Sequence, residues 1–180
     1  MENLRSRMRY FTNHKEWVHI PMNKNVCSKI LYHESFPVVY AKSKINCSAS
    51  LLYKFIVDDL PDTCHLWNHS MYHASIIKEE DQRNIGTVIS TGFPLWDRED
   101  VFYQYKYKNE NEIFELSSGI SQDDIPLNIS NHSRNPDKLV RSTMHFAGKY
   151  IVDTGNDSCE YTTVWHYDPG GILSHFPKMT

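Results

Sequence analysis

Three histidines at four-residue spacing, His65, His69 and His73, are the first residues in this chain that could do chemistry. On one helix they would form a single stripe, and two imidazoles one turn apart can hold zinc. The hydrolytic form of that pattern needs a glutamate directly after the first histidine of the pair. Leu66 and Ser70 occupy those places, so the stripe is read as histidines leading from a helix into a strand. Nucleophilic catalysis has no G-x-S-x-G elbow, and no glycine-rich loop is present to cradle phosphate. Cys64 and Cys159 could meet a histidine only through tertiary contact. With Cys27 and Cys47 they form no C-x-x-C pair. No metal and no cofactor are expected.

The remaining charge points away from nucleic acid. Lys and Arg number 19 against 22 Asp and Glu, a net of −3 over 180 residues. A nucleic-acid groove needs a basic face, and only Arg5, Arg7 and Arg9 are concentrated. With Tyr10 and Phe11 they could touch an anionic membrane surface, at about 1 kcal/mol per basic residue, or form a solvated helix. Residues 1–16 are polar and basic, and no apolar run approaches the ~20 residues of a membrane span. The expectation is one domain over 1–180, cytoplasmic and peripheral to membranes. The N-x-S sequons at Asn46, Asn68, Asn128, Asn131 and Asn156 then stay unmodified.

The elements that would position any site follow from periodicity. Residues 2–11 predict a short basic helix. Glu16–Ile20, Val26–Tyr32 and Phe36–Ile45 read as strands. Ser48 is an N-cap for a helix over Ala49–Asp58, which Leu60-Pro61-Asp62 ends or restarts. Period two then takes over in Ile85–Thr91, Val101–Lys108, Ile113–Ile120, Val140–Ile151 and Tyr161–Tyr167. Val101, Tyr103, Tyr105 and Tyr107 share one face, with Gln104, Lys106 and Lys108 opposite. Trp165 shares a face with Tyr161, Thr163 and Tyr167. Asp168-Pro169-Gly170-Gly171 signals a helix start. Consecutive strands with short connections imply an antiparallel sheet. Curled around a C-terminal helix, it would leave a cavity. A sheet face rich in tyrosine and tryptophan suits an amphipathic ligand.

Five segments in order resemble the START (StAR-related lipid-transfer) domain family: "HLWNHSMYHASIIKE", "ISTGFPLWDREDVFY", "ELSSGISQDDIP", "LVRSTMHFAGKYI" and "TVWHYDPGG". They cover roughly Phe36 to Gly171. The resemblance implies an α+β helix-grip fold, a curved antiparallel sheet gripping a C-terminal helix. It also implies one lipid in a cavity, lipid transport or sensing, and no catalysis. By matching motifs, Asn68, Thr87, Ile89, Val101, Tyr103 and His145 would line that cavity. Thr143 joins His145 by alternation, and Trp165 is added on pattern. Some members carry an Arg and an acid around the Trp67 position, where this chain has Cys64 and Asn68. A sterol or other neutral lipid is therefore favoured over a phospholipid headgroup. Only "ILSHFPKMT" follows Gly171, so the C-terminal helix is expected to be shortened or truncated, with self-association if it is absent. The alternative is a helix-grip enzyme, cyclase- or hydrolase-like, with His145 and Tyr103 as acid and base.

Overall fold

A computed structural model describes residues 2–21, 25–91, 96–109, 112–121, 124, 134 and 136–171. Helix α1 (Glu2–Thr12) comes first, followed by β1 (Val18–Ile20), β2 (Val26–His33) and β3 (Phe36–Ile45). The Ser48 hydroxyl then accepts the Leu51 N–H and opens α2 (Ala49–Tyr53). That helix widens into a π-turn over Lys54–Asp58 and restarts as α3 (Leu60–Trp67), with Pro61 in its first turn where no N–H is needed. The strands β4 (Met71–Glu80), β5 (Arg83–Ser90), β6 (Asp97–Lys108) and β7 (Glu112–Gly119) follow. Last come β8 (Leu139–Arg141), β9 (Thr143–Gly155) and β10 (Ser158–Asp168).

The ten strands of the described residues join one sheet in the order β1-β2-β3-β10-β9-β7-β6-β5-β4, antiparallel throughout except that β8 lies parallel beside β6. β4 is the strand that periodicity does not announce. Register shifts at Met71/His73 and Ile76/Lys78 break its alternation. The helical histidine stripe does not form, because α3 ends at Trp67 and leaves His69 in a turn and His73 on β4.

The registers sort side chains onto two faces, and each face has its own helical cover. On the outer face α1 buries Met8 and Phe11 against Val38, Tyr40, Leu116, Phe146 and Val164. On the inner face α2 and its π-turn pack Tyr53, Ile56 and Val57 on Ile113, Ile151 and Cys159. Beside them α3 sets Leu60 and Cys64 on Ala74, Val88 and Phe102. The Asp168 carboxylate accepts the Gly170 N–H, so "DPGG" closes a turn. The helix expected after it lies outside the described residues.

Gly170 has φ +70°, and a Cβ there would stand 2.5 Å from the Arg141 carbonyl oxygen. Gly155 has φ +75° but open space around it. Gly155→Ala should therefore cost about 1 kcal/mol of backbone strain, and Gly170→Ala clearly more, as read from denaturant midpoints.

His166 sits fully buried beneath α1, its ring 4.6 Å from His145, 5.5 Å from His33 and 6.0 Å from Phe11. Neither of its ring nitrogens finds a hydrogen-bond partner. Burial, then the neighbouring His145, His33 and Arg7, hold its pKa down to about 4. An unfolded imidazole titrates near 6.5, so the native state binds fewer protons between those values. Stability from this group is complete above about pH 6.5 and is lost as pH falls towards 4. Urea melts should show wild type losing up to about 3 kcal/mol relative to His166→Phe between pH 7 and pH 4.

Candidate functional site

The cavity is built on the inner face, and strand register decides which residues reach it. One cross-strand row runs Val39, Trp165, Ala147, Ser117, Gln104. The next row carries Thr163, Lys149, Glu115 and Lys106. On β5 and β6 the inner positions are Val88, Asp100 and Phe102. Between this surface and α3 lies a hollow with two lobes, of about 290 and 80 Å³. Met71, Val88, Asp100, Met144, Ala147 and Trp165 line both.

Both lobes present mainly apolar surface, the larger walled by Pro37, Val39, Met71, Met144 and the ring of Trp165. The smaller ends on polar groups that are almost completely buried. Gln104 is 1 % exposed, and both its amide oxygen and its amide nitrogen lack a hydrogen-bond partner. The Trp67 indole Nε1 there is likewise buried and unpartnered. An unsatisfied buried polar group costs about 1–3 kcal/mol, so this floor is suited to a guest that brings hydrogen-bonding groups of its own.

Glu115 and Lys149 face each other directly across β7 and β9, with an ion pair of 2.8 Å. Ser117 donates to the other Glu115 oxygen. Burial acts to lower the Lys149 pKa, but the adjacent Glu115 carboxylate reverses this and holds it above its ordinary value. The floor therefore carries two mutually neutralised charges and one neutral amide, with the Asp100 carboxyl on the wall shared by both lobes. Asp100 accepts the Ser142 hydroxyl at 2.6 Å, and burial pushes its pKa up to about 6.

The sequence-derived positions divide between the two faces. Asn68 and Trp165 line the larger lobe. Asn68 caps the end of α3, with its side-chain oxygen accepting from Ser70. Thr87, Ile89, Val101 and Tyr103 have the opposite parity and point to the outer side, buried there except for Tyr103. Tyr103 is covered by the Arg83 guanidinium at 3.8 Å. Thr143 is exposed at the start of β9, opposite Asp168. A bulge pairs His166 with Phe146 and Tyr167 with Met144, leaving His145 between them without a cross-strand partner. Its ring turns to the α1 side, stacked on Phe36. Neither His145 nor Tyr103 lines the two-lobed hollow.

Gln104, Glu115 and Lys149 escaped the pattern because polar residues on an alternating strand read as solvent-facing. Glu99 is buried in an ion pair of 2.7 Å with Arg141, and Arg98 donates to the Pro169 carbonyl, tying β6 to the turn after β10.

No family model and no curated protein matches the chain by sequence. Solved structures do. Human StAR-related lipid transfer protein 5 superposes with a TM-score of 0.78 over 96 % of this chain and 82 % of its own, at 14 % identity. The fold is that of a START domain. Human STARD10 gives 0.74 over 96 % of this chain and 69 % of its own, at 19 % identity. The lipid transfer and protein localization domain of human StarD13 gives 0.71 over 99 % and 86 %, at 13 % identity. The large antiparallel sheet is thus the START sheet. No helix among the described residues is long and apolar enough to cross a membrane.

Asp100 supplies a test of the cavity wall. An unfolded aspartate titrates near 3.9, so the raised native value means that folding takes up a proton between about pH 4 and 6. The stability it contributes is present below that window and is lost as pH rises through 6, opposite in sign to His166. Relative to Asp100→Asn, wild type should gain up to about 3 kcal/mol when pH falls from 7 to 4, measured by urea midpoints.

Proposed function

We propose that residues 1–180 form one lipid-binding unit that shelters a single neutral lipid and carries it between membranes or senses it, without catalysis. The observation that carries this reading is the pairing of a mainly apolar lobe with a floor whose Gln104 amide is buried and unpartnered. Apolar surface leaving water contributes about 25 cal/mol per Å², which would retain an acyl chain or ring system beside Trp165, Val88 and Met144. Gln104 offers a donor and an acceptor together, so the group it suits is a hydroxyl or an amide. Lys149 and Glu115 already neutralise each other, so an anionic headgroup would find no free counter-charge on the floor. Asn68 stands at the larger lobe and Trp165 spans both.

Similarity to solved lipid-transfer proteins supports the same class. Trp96, Leu51 and Leu66 are each more than half exposed, which suits transient membrane contact by a cytoplasmic protein.

One observation favours catalysis instead. Asp100 borders both lobes with a pKa near neutrality, as a general acid or base requires. Incubation separates the readings, because a carrier returns its lipid chemically unchanged.

The direct test is solvent extraction of purified protein followed by mass spectrometry. One neutral, hydroxyl- or amide-bearing lipid per chain is expected. Gln104→Leu should shift the bound class or weaken retention about tenfold, as loss of a buried hydrogen bond of 1–2 kcal/mol would. Trp165→Ala should weaken all lipids alike. Protein that never holds lipid, with Gln104→Leu indistinguishable from wild type, would overturn the reading.

A further inference from the structure

A second hollow, of about 370 Å³, lies on the opposite side of the sheet, between α1 and the outer positions of β3, β7, β9 and β10. Its walls are charged and aromatic. α1 directs Arg5 and Arg9, one turn apart, into it. Like charges at that spacing weaken a helix by about 0.2–0.5 kcal/mol, so the arrangement has a cost and local helix stability does not explain it.

The acids in the groove already have partners, which also stand in its wall. Glu160 pairs with Lys42 at 2.7 Å. The Glu112 carboxylate accepts the Tyr150 hydroxyl at 2.6 Å. Among the described residues neither Arg5 nor Arg9 has an ion-pair partner. Three cations (Arg5, Arg9, Lys42) thus stand against two carboxylates, and neither arginine is paired with an acid among the described residues. The Arg5 guanidinium lies over the Tyr107 ring, 3.8 Å from its centroid. Stacking covers the flat face of a guanidinium but leaves its in-plane N–H edge available. The Arg5 Nε is buried and unpartnered.

We propose that this groove binds a phosphate monoester, gripped by the N–H edges of Arg5 and Arg9 while the rest of the ligand lies along Tyr40, Tyr107 and Phe114. Guanidinium forks match the paired oxygens of a phosphate, and charge-assisted bonds of this kind are about twice as strong as neutral ones. A bare phosphate would leave most of 370 Å³ unfilled, so an ester with a polar or cyclic body is the better match. Such a group is found on a lipid headgroup or on a soluble metabolite. The site shares no residue with the lipid cavity and does not depend on the function proposed for it.

The test uses the full chain and three probes. Glycerol 3-phosphate is titrated by calorimetry, with inorganic phosphate as the minimal ligand. Sedimentation is run with phosphatidylcholine vesicles, with and without phosphatidic acid. Wild type should bind glycerol 3-phosphate, and Arg5→Gln/Arg9→Gln should weaken it about tenfold or more. Arg9 is exposed, so Arg9→Gln alone should keep its melting temperature yet bind several-fold more weakly. Arg5→Lys keeps the charge without the fork and should also weaken binding. Vesicle binding that needs phosphatidic acid, is lost in the double variant and is competed by glycerol 3-phosphate assigns the ligand to a lipid headgroup. Binding of the soluble ester alone assigns it to a metabolite. No binding of any phosphate probe, or binding that survives Arg9→Gln and the double variant undiminished, overturns the proposal. In every variant the lipid extracted from the cavity should match wild type.

Discussion

Strand register is the constraint on which the rest of this structure depends. Side chains alternate across a strand, so a slip of one residue moves a whole set to the other face. In this sheet the exchange would be severe, since both faces are buried in part. Val38, Tyr40, Val164 and Leu116 meet α1 on one side, while Val39, Trp165, Ala147 and Ser117 border a cavity on the other. The register is fixed from both sides: by α1 with Phe11 and Met8, and by α2 and α3 with Tyr53, Ile56 and Leu60. The bulge at His145 is the one place where β9 and β10 leave strict alternation near the site, and it lets Met144 and Tyr167 both border the larger lobe.

Both faces pair their charges, with Lys42 on Glu160 outside and Lys149 opposite Glu115 inside. The outer face adds stacking, with Arg83 on Tyr103 and Arg5 on Tyr107. Gln104 belongs to neither scheme. It is neutral, buried and without a partner, which makes it the most informative residue of the cavity.

Much of the fold was legible in the chain. Strand β3 runs over Phe36–Ile45 as expected, Ser48 caps α2, and the described residues of the five motifs fall on α3, on strands β4 to β10 and on the turns beside them. The site was harder to read. The stripe Val101, Tyr103, Tyr105 and Tyr107 does share a face, but that face is the outer one, where arginines meet the tyrosines Tyr103 and Tyr107. Periodicity finds a face without saying which side it lies on when both sides are covered. Gln104 looked like a surface residue because its neighbours at the same parity, Lys106 and Lys108, are charged. Those lysines reach the edge of the α2 segment, at Asp58 and Ser50, while Gln104 lies deeper, over the smaller lobe. The single zinc-like pattern failed because α3 stops at Trp67, and no local rule fixed that end.

The central claim is that the sheltered lipid lies against the inner positions of the sheet and not against the outer positions of β5 and β6. Isotope-filtered nuclear Overhauser spectra of labelled protein carrying its unlabelled lipid test this residue by residue. The account predicts lipid contacts to the Val88, Met71 and Met144 methyls and to the Gln104 amide, with none to Thr87, Ile89 or Val101. Contacts to the latter three, or a lipid that touches neither set, would contradict it.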